Sequence, residues 1–267
     1  MVRISGGTLN KLGIIQGRLS EPLNGFQECP VEWRKEFDLI QKLHLDHIEW
    51  IVTERSLKNN PFLRQDLKQY SNRISSVCLD NIVNEDFFEN SFLEHNLKPF
   101  CELALKNNIN NISIPLLEKS SIVNDSLRSK FCNNIKKYSK EYSSLNFLFE
   151  VEATHQHLSD ILSVSDNFYV TYDTGNITSC GYDHEEYINA IFDRITTVHL
   201  KDRTYDAKTV PPGKGDTNFN LIFNILRKKQ YNGLYTLQTA REESGNEFET
   251  INKHKNILLR MYNEKSF

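Results

Sequence analysis

The sequence lacks the features that would point to a redox protein, a membrane protein or a nucleic-acid-binding protein. Its five cysteines are scattered and form no C-x-x-C pair, so we expect reduced thiols in a cytoplasmic protein. It has no apolar run long enough to cross a bilayer, and residues 1–15 contain no apolar signal segment, so we expect no membrane association. The net charge of −3 gives no general attraction to nucleic acid.

Glycine-rich nucleotide motifs are also missing. The first apolar run, LGIIQGRLS, contains only Gly17 after its start and no G-x-G-x-x-G. The stretch GKGD at 213–216 lacks the spacing of a P-loop. Because no linker, repeat or shift in composition divides the chain, we expect one domain spanning residues 1–267.

One pattern does recur along the whole chain: a short β-rich apolar run followed by a longer amphipathic stretch. The predicted strands are 12–16, 47–51, 74–79, 111–116, 146–150, 169–173, 197–200 and 235–239. The predicted helices are 31–44, 61–72, 88–107, 121–144, 155–164, 184–192, 219–229 and 249–262. Eight such alternations predict a single α/β domain with the (β/α)8 TIM barrel fold. The alternative is an open doubly wound sheet.

A polar side chain lies near the carboxyl end of each of the last four predicted strands. Side chains alternate between the two faces of a strand, and on these strands one face is apolar while the other ends in one polar residue. Those residues are Glu150, Asp173, His199 and Gln238. Barrel enzymes place their chemistry at the carboxyl ends of the strands, and this donor set suits one divalent ion such as Mn²⁺, Mg²⁺, Co²⁺ or Zn²⁺.

Other charged residues have more than one interpretation. Arg18, Lys201, Arg203 and Arg241 follow predicted strands and are either ligands for an anionic substrate group or solvated surface charges. Glu49 either faces the barrel mouth or belongs to an internal ion pair. Glu152 is a second-rank ligand candidate because it lies beyond its strand. His155 and His157 are predicted to lie at a helix start, where residues two apart do not face each other.

The motifs LGIIQGRLS, HIEW, FEVE, YDTGN, VHLKD, P-x-G-K-G-D and QTAR together resemble the xylose isomerase-like sugar phosphate isomerase/epimerase barrels over residues 12–243. The resemblance implies a (β/α)8 fold and one metal ion near the barrel mouth. Its ligands would be Glu150, Asp173, His199 and, in the last place, Gln238. The chain departs from the family at Gln238, where relatives have a second glutamate, and at Asn176, where many relatives have histidine.

The leading hypothesis is therefore a metal-dependent isomerase or epimerase of a small sugar, sugar phosphate or sugar acid, acting through an enediolate. Glu150 would be the base, because an amide at Gln238 cannot be one. Lys201 would polarise or protonate an oxygen of the substrate. The expected substrate-binding residues are Gln16, Arg18, Glu49, Asn176, Asp202, Arg203 and Arg241.

Two further hypotheses remain open, a metal-dependent lyase or dehydratase of a keto-sugar or polyol and a catalytically silent sugar-binding barrel. A DNA repair endonuclease is disfavoured, because such enzymes need a histidine-rich metal cluster and a basic face. The expected partner is a small carbohydrate, with no nucleic acid and no membrane, and a homo-oligomer is possible.

Overall fold

The computed structural model describes residues 9, 11–22, 29–242 and 245–264. Eight parallel strands close into a barrel in the order β1-β10-β7-β6-β5-β4-β3-β2, which confirms the predicted TIM barrel. The barrel strands are β1 Leu12–Ile15, β2 Ile48–Val52, β3 Ile74–Leu79, β4 Asn111–Leu116, β5 Asn146–Val151, β6 Phe168–Asp173, β7 Ile195–Leu200 and β10 Leu234–Leu237. A separate antiparallel hairpin is formed by β8 Asp202–Arg203 and β9 Thr209–Val210.

Nine α-helices accompany the strands in the described part of the chain. They are α1 Arg34–Lys42, α2 Asn90–Asn96, α3 Lys98–Lys106, α4 Asp125–Glu141, α5 His155–Leu162, α6 Thr174–Ser179, α7 His184–Ile191, α8 Phe219–Lys228 and α9 Glu247–Asn263. The apolar faces of strands and helices form one large core between the two layers. Strand alternation turns the opposite faces into the barrel interior, where polar residues collect at the carboxyl ends.

Two helix predictions are wrong in detail. The predicted helix 61–72 is a series of turns ending in the 3₁₀ helix Lys68–Arg73. The positive φ of 60° at Gln65 interrupts any α-helix there, and the Asn60 side chain binds the backbone N–H of Phe62. The predicted helix 88–107 is divided into α2 and α3 at Leu97, because Pro99 fits the first turn of a helix but not its interior.

Helix α6 and the hairpin β8–β9 were not predicted. Helix α6 follows β6 without a loop, and the hairpin β8–β9 lies between the predicted strand 197–200 and the predicted helix 219–229. The last barrel strand, β10, also stops at Leu237, two residues before its predicted end. As a result, Gln238 lies just beyond the strand rather than within it.

Both tryptophans of the chain lie in one aromatic cluster on the helix side of β2. The ring centroids of Trp33 and Trp50 are 5.7 Å apart in an edge-to-face arrangement. Phe37 of α1 and Tyr70 stack on each other at 4.2 Å and complete the cluster. This packing fixes α1 and the 3₁₀ helix Lys68–Arg73 against the amino-terminal side of the barrel.

Candidate metal centre

Three predicted ligands meet at the carboxyl ends of β5, β6 and β7. Glu150, Asp173 and His199 each offer a ligand atom, and these atoms all lie within 4.8 Å of one another. Asp173 is directly opposite His199 in the strand register, so alternation directs both side chains into the barrel. All three side chains are buried. We call these three residues the Glu150 cluster.

The imidazole of His199 is held from one side and open on the other. Its Nε2 lies 2.9 Å from Glu49 Oε2, across the barrel on β2. Its Nδ1 faces the carboxylates, 3.4 Å from Glu150 Oε2 and 3.9 Å from Asp173 Oδ2, and has no hydrogen-bond partner of good geometry among the described residues. This arrangement leaves Nδ1 as the available ligand atom.

The carboxylates change the titration of this cluster. Burial alone lowers the pKa of His199, but the carboxylates of Glu49 and Glu150 outweigh burial and raise that pKa above its usual value. Burial raises the pKa of Glu150, but His199 and then Lys201 outweigh it and lower the pKa below its usual value. The site therefore stabilises positive charge placed between its carboxylates, as a metal ion would be.

Asn176 holds the two carboxylates in place from helix α6. Its side-chain amide donates to Glu150 Oε1 at 2.9 Å, and its backbone N–H donates to Asp173 Oδ1 at 2.9 Å. Asp173 is thus also the N-cap of α6. Asn176 therefore binds one oxygen of each carboxylate, and the other oxygens, Glu150 Oε2 and Asp173 Oδ2, face His199.

Lys201 brings a cation to the edge of the cluster. Its Nζ donates to Asp173 Oδ2 at 3.2 Å, and its side chain is only 9% exposed. The hydroxyl of Thr174 accepts the Lys201 backbone N–H at 3.0 Å and fixes the chain just after β7. The predicted catalytic residues, Glu150 and Lys201, therefore both lie close to Asp173 within one buried site.

Gln238 directly follows β10, the strand that pairs with the strand of His199, and its backbone N–H donates to Leu200 O at 3.3 Å. Thr236 is in register with His199, and Gln238, two residues further on, shares its inward face. The side chain is buried, and its Oε1 has no hydrogen-bond partner among the described residues. A buried amide oxygen without a partner is costly in an apolar interior, but it is a suitable oxygen ligand for a cation.

Three of the predicted substrate-binding residues lie around the loop after β1. Gln16 is buried, and its backbone N–H donates to Glu49 O at 2.8 Å. Arg241 donates to the backbone oxygens of Ser20, at 3.0 Å, and Gly17. Burial, and then repulsion from Arg241, lowers the pKa of the buried Arg18 guanidinium to about 9. This arrangement concentrates positive charge beside β1, and the substrate contacts of these residues remain predictions.

Asp202 and Arg203 are engaged away from the Glu150 cluster. Arg203 donates to Glu152 Oε1 at 2.7 Å, so these two residues pair with each other. Asp202 is fully buried and accepts four backbone N–H groups from the loop 213–217. The donors are Gly213 at 2.7 Å, Lys214 at 3.1 Å, Gly215 at 3.0 Å and Thr217 at 3.3 Å. Asp202 thus organises this loop, and its predicted substrate contact remains a prediction.

The hydrogen bonds continue from Asp202 to helices α6 and α7. Thr217 lies 3.1 Å from the Thr178 hydroxyl, which lies 3.0 Å from His184 Nε2. The other ring nitrogen of His184 lies 2.6 Å from the Tyr172 hydroxyl. We call these five residues, from Asp202 to Tyr172, the Asp202 network. Its side chains are buried and bonded to one another.

Sequence reasoning missed an apolar wall inside the barrel. Ile15, Ile51 and Cys78, on β1 to β3, form a small buried cluster apart from the main core. Their inward direction follows from strand alternation, which was applied only to the last four strands. The amino-terminal strands therefore add a small apolar patch to the barrel interior, beside inward polar residues such as Glu49 on β2. His155 and His157 begin α5, outside the Glu150 cluster, as expected.

One family match covers the carboxyl-terminal segment of the chain that carries the Glu150 cluster. Residues 143–258 match the family described as xylose isomerase-like TIM barrel. Over this segment the chain resembles the xylose isomerase-like TIM barrels, and its closed eight-stranded barrel agrees with that fold. The matched segment includes Glu150, Asp173, His199 and Gln238, whereas Glu49 lies outside it.

Individual relatives are distant. An inosose dehydratase from Clostridium tetani (strain Massachusetts / E88) is 26% identical over an alignment that covers 33% of this chain and only 37% of that protein. A solved structure of the IOLI protein with a bound zinc atom has a TM-score of 0.72 at 16% identity, and covers 94% of this chain and 98% of that one. D-psicose 3-epimerase with D-tagatose, from Clostridium cellulolyticum H10, has a TM-score of 0.63 at 15% identity, and covers 95% and 96%. At these identities the two solved structures establish the fold alone.

The residues present in this chain fit a divalent ion. Two carboxylate oxygens and one imidazole nitrogen converge, and both His199 Nδ1 and Gln238 Oε1 are buried without hydrogen-bond partners among the described residues. Oxygen and imidazole donors suit Mn²⁺, Co²⁺ and Zn²⁺ and, with fewer nitrogen ligands, Mg²⁺.

None of the described helices has the length and apolar character needed to span a membrane.

Proposed function

We propose that this protein is a metal-dependent isomerase or epimerase of a small sugar, sugar phosphate or sugar acid. The observation that carries the proposal is the convergence of Glu150, Asp173 and His199 at the carboxyl ends of three barrel strands, with His199 Nδ1 open toward the two carboxylates. A bound divalent ion would polarise the carbonyl and the adjacent hydroxyl of the substrate and stabilise negative charge on their oxygens.

Glu150 is the proposed base. Asn176 occupies Oε1 at 2.9 Å, so Oε2 is the oxygen that would take a proton from the carbon next to the substrate carbonyl. The lowered pKa of Glu150, caused by His199 and Lys201 against the effect of burial, keeps this carboxylate ionised at neutral pH. The same oxygen would return the proton to the neighbouring carbon and so exchange the positions of carbonyl and hydroxyl.

Lys201 is the proposed oxygen-stabilising group. Its ammonium lies at the edge of the cluster and would donate to the oxygen on which negative charge develops as the carbon loses its proton. Gln238 has no titratable carboxyl group and would only orient or ligate. A single carboxylate base favours proton transfer on one face of the substrate, which gives aldose–ketose isomerisation more directly than two-base epimerisation.

A dehydratase is the second candidate, favoured by the match to an inosose dehydratase in sequence. The first step would be the same removal of a carbon-bound proton by Glu150. The electron pair would then form a C=C bond as the C–O bond to a β-hydroxyl breaks, and Lys201 would protonate that hydroxyl as it leaves as water. One base and one acid suffice for this elimination, so Gln238 is compatible with it.

A catalytically silent sugar-binding barrel is the third candidate, and Gln238 is the residue that favours it. Such a protein would bind a sugar without exchanging any carbon-bound proton. The same experiment distinguishes all three candidates.

The test is proton exchange in D₂O, followed by NMR, with Mn²⁺ removed and Mg²⁺ or Zn²⁺ supplied so that spectra stay sharp. The candidate substrates tested are aldoses, ketoses and inososes, each compared with its phosphorylated form where one exists. Deuterium at carbon with a rearranged sugar identifies an isomerase or epimerase, and loss of water identifies a dehydratase.

Glu150→Gln is the matched variant, because it preserves the shape of the side chain and its hydrogen bond to Asn176 can be retained. We expect at least a 10³-fold loss of exchange with an unchanged melting temperature. Exchange at the wild-type rate in Glu150→Gln would remove Glu150 from the proposed role.

A further inference from the structure

Glu49 is a fully buried carboxylate that reaches across the barrel to a candidate metal ligand. It projects from β2, and its Oε2 accepts from His199 Nε2 on β7 at 2.9 Å. Both side chains are at most 1% exposed. The second oxygen, Oε1, is buried and has no hydrogen-bond partner among the described residues.

A buried carboxylate is an energetically unfavourable acceptor for a single imidazole N–H group. Burying an ionised carboxyl group without full hydrogen bonding is strongly unfavourable, whereas a glutamine oxygen would accept the same bond without a charge. When a costly charge is buried beside a functional cluster, the charge itself is the property to explain. The charge at Glu49 is therefore expected to act on whatever His199 binds.

The charges around the Glu150 cluster show what the carboxylate of Glu49 adds. Glu150 and Asp173 bring two negative charges, and Lys201 Nζ lies only 3.2 Å from Asp173 Oδ2, which offsets part of them. Gln238, which is buried just after the strand that pairs with β7, is neutral. Glu49 adds a third carboxylate, bound to Nε2 of the same imidazole ring whose Nδ1 is the ligand atom. Such carboxylate–histidine pairs orient the ring and make the ligand nitrogen a better donor.

We propose that Glu49 is a positioning residue that turns Nδ1 of His199 toward the carboxylates and supplies, through the imidazole, the negative charge that Gln238 does not supply. Its consequence is that affinity for a divalent cation depends more on Glu49 than on Gln238. The inference rests on the proposed function only in taking the Glu150 cluster as a cation site.

The experiment measures Zn²⁺ and Mn²⁺ binding by isothermal titration calorimetry after the protein is stripped with a chelator. Glu49→Gln keeps a hydrogen-bonding side chain but removes the charge, and Glu49→Leu removes both. We expect dissociation constants about 10-fold higher for Glu49→Gln and about 100-fold higher for Glu49→Leu. Gln238→Leu is the comparison and should raise the dissociation constant less than Glu49→Gln does.

A charge-restoring variant separates this role from mere packing. Adding Gln238→Glu to Glu49→Gln should return the dissociation constant to within about threefold of wild type, because the missing charge is replaced on the other side of the cluster. A packing defect at position 49 would not be repaired by a carboxylate at position 238. Circular dichroism and the melting temperature of the chelator-treated variants establish that each one is folded.

The outcomes are distinct. If the wild-type protein binds the cation and Glu49→Gln binds it within twofold, or is affected less than Gln238→Leu, the role of Glu49 is wrong while the proposed function stands. A failure of the double variant to recover affinity, with Glu49→Gln weakened, would show that orientation alone matters and would overturn the charge argument. If the wild-type protein binds neither Zn²⁺ nor Mn²⁺, the metal-dependent function and this inference both fail.

Discussion

Two buried polar clusters are contacted by adjacent residues after β7, Lys201 and Asp202, and they differ in how their polar atoms are satisfied. In the Asp202 network, Asp202 accepts four backbone N–H groups and both ring nitrogens of His184 have partners. In and beside the Glu150 cluster, the described residues leave His199 Nδ1, Gln238 Oε1 and Asn176 Oδ1 without hydrogen-bond partners.

This difference separates two roles that look alike in the sequence. Adjacent residues Lys201 and Asp202 were both predicted to act on substrate, yet Lys201 contacts Asp173 and Asp202 binds the loop 213–217. A polar cluster that satisfies itself stabilises the fold, whereas one with unsatisfied buried atoms is prepared for a ligand. Substitutions in the two clusters should therefore affect different measurements.

The largest effect is expected for Lys201→Met. The variant removes the ammonium beside Asp173 and should lower turnover of the substrate identified by proton exchange by about 10³-fold. Affinity for Zn²⁺ should be unchanged or tighter, because a cation next to Asp173 Oδ2 is lost. Steady-state kinetics and calorimetry measure the two quantities. A turnover within tenfold of wild type would place Lys201 with the structural residues instead.

The next effect, on stability rather than function, is expected for Asp202→Ala. Four backbone N–H groups lose their acceptor, and we expect the free energy of unfolding to fall by about 3 kcal/mol. The Zn²⁺ dissociation constant should stay within about threefold of wild type. Urea denaturation and calorimetry report these quantities.

Asp206→Ala is the control for that change, since Asp206 lies exposed in the turn of the hairpin β8–β9. Its cost should be at most about 0.5 kcal/mol. If Asp202→Ala weakened Zn²⁺ binding tenfold or more without loss of stability, the distinction between the two clusters would not hold at this residue.

The smallest effect concerns pH and His184. Burial lowers the pKa of His184 to about 4, below its ordinary value of 6.5. The unfolded chain therefore binds a proton more readily, and the contribution of neutral His184 to stability is present above pH 6.5 and is lost as pH falls toward 4. Between pH 7 and pH 5 this amounts to about 2 kcal/mol.

His184→Gln should remove that part of the pH dependence while leaving Zn²⁺ affinity at pH 7 unchanged. Urea denaturation at pH 7 and pH 5 compares the variant with the wild type. His47 has a pKa lowered to about 4, by burial and then by His199, so some pH dependence should persist in the variant. An identical loss of stability in variant and wild type would remove His184 as its source.

Local patterns were sufficient to predict the barrel and the Glu150 cluster. Glu150, Asp173 and His199 each follow an apolar alternation, and parallel strands of a barrel bring their carboxyl ends together. The predicted helix 61–72 failed because the positive φ at Gln65 and the bonds of Asn60 depend on its surroundings rather than on its apolar spacing.

Roles that depend on distant partners were beyond sequence reasoning. Glu49 and His199 are separated by 150 residues, and their hydrogen bond exists only in the closed barrel. Asp202 gave no sign that its acceptors would be used by the loop 213–217, since the backbone N–H groups of a loop converge only in its folded conformation. Helix α6 was missed because TGNITS has weak helix propensity and depends on the cap from Asp173.

The aromatic cluster around Trp33 and Trp50 has a practical consequence for optical experiments. Because the cluster contains both tryptophans of the chain, tryptophan fluorescence reports on a single region. That region is the packing of α1 and the 3₁₀ helix Lys68–Arg73 against β2. The indole of Trp50 lies on the opposite face of β2 from Glu49. Tryptophan emission is thus a reporter of denaturation at the amino-terminal side of the barrel, and titrations with cations or sugars need a different probe.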